Sequence, residues 1–257
     1  MLNRILVLQS RPRQFPTKYS NTPQAGRKKY RWTHSLAEDV HDGFSEMSED
    51  KPRGNGGRKL VYIPIIHTLA DMGALGAPIR SVKLSAFGRQ GLAHNAAVVE
   101  KMWEEIEGTV GKREVSPGSV RVYQDGLPVC GHEQEIVAEL AAAGSRNHRL
   151  LLSLQARGAV LMGTESPELL VEEYQLASAA LAAGGASHAK LRRDRVDDTL
   201  LERRDRYIAE RINGTLGAGE TGILLIGMLH EVTKSLDPDI QVVYPRRRPP
   251  VRIGSGA

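Results

Sequence analysis

The chain has one cysteine, Cys130, few aromatic residues (5%) and no long apolar run in its 257 residues. A lone thiol excludes an intramolecular disulfide framework and a cysteine-rich zinc ribbon. No window reaches the roughly 18 consecutive apolar residues of a spanning helix, which excludes an integral helical membrane protein. The opening stretch, MLNRILVLQSRPRQ, has too short an apolar run for a secretory signal and no small-residue cleavage site after it. The expectation is therefore a soluble, cytoplasmic protein. Neither a G-x-S-x-G nucleophile elbow nor a phosphate-loop pattern occurs.

Charge is present in ordinary amount but unevenly spread. The whole chain carries 35 basic and 30 acidic residues, a net of +5. Residues 1–59 hold 12 basic and 6 acidic residues, and residues 246–257 hold 4 basic and none acidic. That leaves 19 basic against 24 acidic residues in the stretch between them. The basic character thus belongs to the two ends, and the mildly acidic body argues against nucleic acid as a partner. Residues 1–57 and 246–257, rich in Pro, Gly and Arg without an apolar period, are expected to be extensions dispensable for folding, leaving one domain over 58–245.

Within that domain, four short apolar runs each lead to a polar residue. They are LVYIPIIH ending at His67, SVRVYQD at Asp125, GAVLMGTE at Glu165 and GILLIGMLH at His230. Runs apolar on both faces suit buried parallel strands, and IQVVYP at 240–245 reads as a weaker fifth. Helices fill the gaps. Val98, Met102, Ile106 and Val110 recur at helical spacing behind Asn95 as a cap, Ser145 caps a second helix, and Ser166-Pro167-Glu168 opens a third. A helix over residues 132–143 and another carrying Leu200, Leu201, Ile208 and Ile212 complete the set. Residues 68–94, punctuated by Gly73, Gly76, Gly88 and Gly91, read as a long loop, and 185–199 as a loop or exposed helix. His148 and His188 read as surface residues, and Cys130 as a small buried thiol. This alternation predicts an α/β domain with a mainly parallel sheet and helices on both faces.

Parallel sheets place their ligands beyond the carboxyl ends of the strands. His67, Asp125, Glu165 and His230 would converge there, as acid and base in a cleft or as ligands of one divalent metal ion, with His67, Glu165 and His230 as the metal set. Each residue also has a plainer role: a loop hydrogen bond for either histidine, support of a helix start for Glu165, an Asp-Gly turn for Asp125.

The segment LLERRDRYIAERINGTLGAGETGILLIGMLHEV resembles the last block of the TraB/PrgY-like family, relatives of the Tiki proteases. Arg204, Asp205, Tyr207 and Ala209 match its Arg-Asp-rich helix, and Gly227 and His230 its strand ending in Gly-x-x-His. The family's opening block, a strand to Gly-x-x-His, a helix and a strand to an acid, is similar to Pro64–His67, a helix near 95–110 and VRVYQD, with Pro64 in place of the glycine. The wider group includes erythromycin esterase (EreA) and the haem-binding ChaN proteins, so the resemblance implies an EreA/ChaN-like fold. It also implies a hydrolase working through the His/carboxylate cluster, with Arg204 holding a carboxylate or an oxyanion. The other class left open is a small-ligand-binding or regulatory protein without turnover on the same scaffold, its ligand a small molecule or peptide.

Overall fold

A run such as LVYIPI, apolar at every position, has no face to turn to water, so it must be covered from both sides. That is what happens. The computed structural model describes residues 57–72, 76–182 and 198–245. Among these residues five strands form one sheet: β1 (Arg58–Ile65), β2 (Val120–Gln124), β3 (Val160–Met162), β4 (Thr221–Gly227) and β5 (Ile240–Val243). Their order across the sheet is β3-β2-β4-β1-β5, and every pairing is parallel. The sheet is thus wholly parallel, with the expected fifth strand as one edge.

Alternate residues of the strands feed two cores. Val61, Ile63, Val122, Ile223 and Leu225 point to one face and pack with Trp103, Ile106 and Val110 of α1 (Gly76–Gly111), and with α2 (Glu133–Ala142) and α3 (Arg146–Ala156). Leu60, Tyr62, Tyr123, Leu224 and Ile226 point to the other, where Ile208, Ala209 and Ile212 of α5 (Asp198–Thr215) cover them. Helix α4 (Pro167–Ala182) packs against α5. Helices lie on both faces, as the sequence predicts.

Ser145 and Ser166 behave as caps. Ser145 accepts a hydrogen bond from the His148 amide, and Ser166 Oγ accepts from the Leu169 amide at 3.3 Å. Leu200, Ile208 and Ile212 are buried on α5, and Leu201 is half-buried. Three expectations fail. Asn95, expected to cap the helix that carries Val98 to Val110, lies inside α1, because the helix resumes right after Gly88. The stretch read as a loop over 68–94 is helical from Gly76, because α1 runs 36 residues to Gly111 and is broken only at Gly88. Gly88 sits at φ 66°, ψ 178°, a conformation closed to side chains with a Cβ, so one helical segment meets another at a bend. His148 is buried rather than exposed, for a reason given below. The two charged ends, His188 and residues 185–197 lie outside the described residues. Among the described residues no helix is long and apolar enough to cross a membrane.

Candidate functional site

All strands being parallel, their carboxyl ends share one edge. β4 lies between β1 and β2, with Ile65 opposite Gly227 and Gln124 opposite Leu225. His230, three residues past the end of β4, therefore approaches both His67 from β1 and Asp125 from β2. Glu165 arrives from the neighbouring β3, bridged to Pro128. Arg204 comes from the buried face of α5. The five residues singled out in the sequence meet in one place.

Asp125 is the centre. Its Oδ2 accepts from the Gly227 amide at 2.9 Å and from His67 Nε2 at 2.9 Å, and lies 3.5 Å from His230 Nε2. Its Oδ1 accepts from Arg204 Nη2 at 2.9 Å. The residue also opens the turn at 125–126, so the turn role and the cluster role coexist. Burial opposes its charge, but the two imidazoles outweigh this and hold its carboxyl well below the usual range. Gly227 is required by the close approach: a Cβ there would meet Asp125 Oδ2 at 2.9 Å, with His67 and His230 just beyond.

Glu165 is fully buried and is held by Arg204, whose Nε and Nη2 reach its two oxygens at 2.9 and 2.5 Å. This two-pronged geometry is specific to a guanidinium. The Gly126 amide adds a third bond at 3.1 Å. Burial and the adjoining Asp125 charge still raise the Glu165 pKa above the ordinary carboxylate value, against the pull of Arg204. The third guanidinium nitrogen meets Glu173 of α4 at 2.9 Å. Of the two roles the resemblance implies for Arg204, holding a carboxylate is the one its buried donors perform.

The two histidines differ. His230 is buried and carries a carboxylate at each ring nitrogen, Asp205 Oδ1 at 2.5 Å from Nδ1 and Asp125 beyond Nε2. Burial opposes its charge, but Asp125 and Asp205 raise its pKa to about 10. Its own backbone carbonyl accepts from Tyr62, and the following amide, Glu231, donates to Asp205. His67 is a quarter exposed in its side chain. It lines a cleft of about 320 Å³ between the β1–α1 loop and α1. Burial opposes its charge too, and the hydrogen bond and charge of Asp125, with Asp71 behind, raise its pKa above 6.5. Its Nε2 is committed to Asp125.

By separation alone a metal ion can be held here, since ligand atoms of Asp125, Glu165 and His230 lie within 4.8 Å of one another. His67, counted in the metal set from sequence, joins the cluster through Asp125 instead. The donor chemistry does not fit an ion as the side chains stand. The carboxylate oxygens of Asp125 and Glu165 already accept from protein donors, Arg204 supplies a positive charge between them, and Asp125 and Asp205 favour the charged form of His230, whereas a ligand must be neutral.

Several contributors escaped the sequence reading. Asp205 is matched by the family pattern but receives no role there, though two adjacent buried charges on one helix are a signal in themselves. Asp71 accepts from the Thr68 amide at 2.6 Å, from Thr68 Oγ1 at 2.9 Å and from Ser145 Oγ. Ser145 Oγ also meets His148 Nδ1 at 2.7 Å, which explains the burial of His148: it belongs to a polar clamp. The clamp fastens the residue next to His67 onto the start of α3. Trp103 adds a bond from Nε1 to the Ile66 carbonyl at 3.3 Å. Cys130 is half-buried against the first core, and its thiol is raised by burial, so it behaves as a packing residue. No family model, curated protein or solved structure matches this chain.

Proposed function

We propose that the protein is a hydrolase of the TraB-like type, within the EreA/ChaN-like fold group, in which His67 is the general base and Asp125 orients it. The observation that carries this reading is the pairing of a partly exposed imidazole at a cleft with a buried carboxylate that is itself held by the Gly227 amide and Arg204. With Nε2–H donated to Asp125, the neutral ring keeps its lone pair on Nδ1. Nδ1 takes a proton from water as the water oxygen bonds to a carbonyl carbon, and returns it to the departing alkoxide or amine. Arg204, Glu165, Asp205 and His230 fix Asp125 and do not touch the substrate.

The test compares wild type, His67→Ala and Asp125→Asn on p-nitrophenyl esters and short peptide amides. His67→Ala should lose about 10²–10⁴-fold in kcat/KM while remaining folded. The wild-type rate should climb with pH as His67 loses its proton, above the ordinary value of 6.5. A His67→Ala variant with undiminished turnover overturns the reading.

A second reading, a divalent ion on Asp125, Glu165 and His230, is favoured by their separation alone. It requires Arg204 to withdraw and His230 to lose its proton. Elemental analysis of purified protein and a zinc or manganese titration decide it, with no stoichiometric ion expected. The non-catalytic alternative, a small-ligand-binding or regulatory protein, is the one supported if ligands bind the cleft and no ester or amide is turned over.

A further inference from the structure

One face of α1 explains where a substrate would sit. Val99, Trp103, Ile106 and Val110 follow helical spacing; the last three are fully buried in the first core, with Val99 packed at its margin. Extended toward the amino end, the same face presents Leu92 and Ala96 with Asn95 beside them, and here it lines the cleft next to His67 instead of a protein partner. The apolar stripe thus leaves the core where the cleft opens. Ile66, Leu69 and Ala70 of the β1–α1 loop form the facing wall, and Lys83 reaches in from the helical segment before the Gly88 bend. Three charged residues, Lys83, Glu100 and Arg146, also line the cleft. Arg146 at its edge is already paired with Glu107 at 2.6 Å and with Glu100. Its volume, about 320 Å³, is at the small end for organic ligands.

Resting on the hydrolase reading above for the base, we infer that this cleft binds the apolar acyl portion of a small, neutral ester or amide, with the carbonyl at its His67 end. An anionic or strongly polar acyl group would lose its hydration against Ile66, Leu69, Leu92 and Ala96.

Two measurements on the full chain separate this inference from the hydrolase reading. In the first, 1-hexanol is titrated while the methyl resonances of Leu92, Ala96 and Val99 are followed by NMR. Saturable shifts at these methyls are expected for wild type and for His67→Ala. Ala96→Trp, on an exposed position that tolerates bulk, should weaken them at least tenfold; Leu92→Gln, which leaves the core untouched, should weaken them several-fold. In the second, p-nitrophenyl esters with acyl chains of two to eight carbons are compared. The value of kcat/KM should rise about tenfold or more between two and six carbons, as methylenes leave water, and Ala96→Trp should abolish the rise. If hexanol binds as described and no ester is hydrolysed, the hydrolase reading falls and the cleft assignment stands. Turnover that ignores chain length and Ala96→Trp, or hexanol shifts that do not saturate, overturns the cleft assignment and leaves His67 as base.

Discussion

Two histidines follow the ends of neighbouring parallel strands, at nearly equivalent places in the sequence pattern, and the fold treats them in opposite ways. His230 is enclosed, with Asp205 on one nitrogen and Asp125 facing the other. His67 touches the same Asp125 oxygen but keeps a quarter of its side chain in a cleft. The central position of β4 buries the first, and the place of β1 nearer the edge exposes the second. A strand-end histidine is therefore a site residue by position, yet its role depends on how many carboxylates enclose it.

The comparison can be broken most forcefully at Arg204. Arg204→Ala leaves Glu165 and Asp125 buried with a lost partner, so a loss of about 3–5 kcal/mol is expected in urea unfolding. A change near zero would mean that the cluster is not held by the guanidinium. Next come the histidines themselves. His230→Ala should cost roughly 2–4 kcal/mol of stability, since it strands two carboxylates, whereas His67→Ala should cost about 1 kcal/mol or less and remove turnover. Equal stability losses in the two variants would erase the distinction.

The pH dependence sharpens it further. His230 is raised to about 10 in the folded protein, so its contribution is complete below the ordinary 6.5 and disappears as pH rises through about 10. Asp125 is held low, so its contribution is present above the ordinary carboxylate range and is lost as pH falls. Denaturation midpoints should thus decline on both limbs, and Asp205→Asn should flatten the alkaline one. An alkaline limb unchanged by Asp205→Asn would remove Asp205 as a cause of the His230 shift. The smallest expected effect is at the clamp. Asp71→Asn should cost about 1–2 kcal/mol, accelerate amide exchange at Thr68 and lower the His67 pKa, because Asp71 acts on that ring through its charge. Unchanged Thr68 exchange would show that the loop is held by other contacts.

Much of this was legible in the residues. Apolar runs without a polar face required a parallel sheet covered twice, and Ser145 and Ser166 marked helix starts that the structure bears out. The helix from Gly76 was hidden because most of its first half is exposed and carries no core stripe to read. His148 was hidden because its neighbours are polar, while the groups that bury it include Asp71, more than seventy residues earlier in the chain. No local pattern encodes such a partner.

What the sequence determined by itself was the edge: four strands of a mainly parallel sheet bring His67, Asp125, Glu165 and His230 to one end, because strand direction follows from both-face burial and helical crossovers. What only the tertiary structure decided was the division of labour among them. The chain reaches β2 and β3 before it returns β4 to the gap between β1 and β2. That lateral order sets which imidazole is enclosed and which meets the cleft. It also brings the Arg204 guanidinium against two carboxylates, because α5 must cover the sheet face that ends there. Lateral order arises from long-range packing of whole layers, and no spacing within a segment records it.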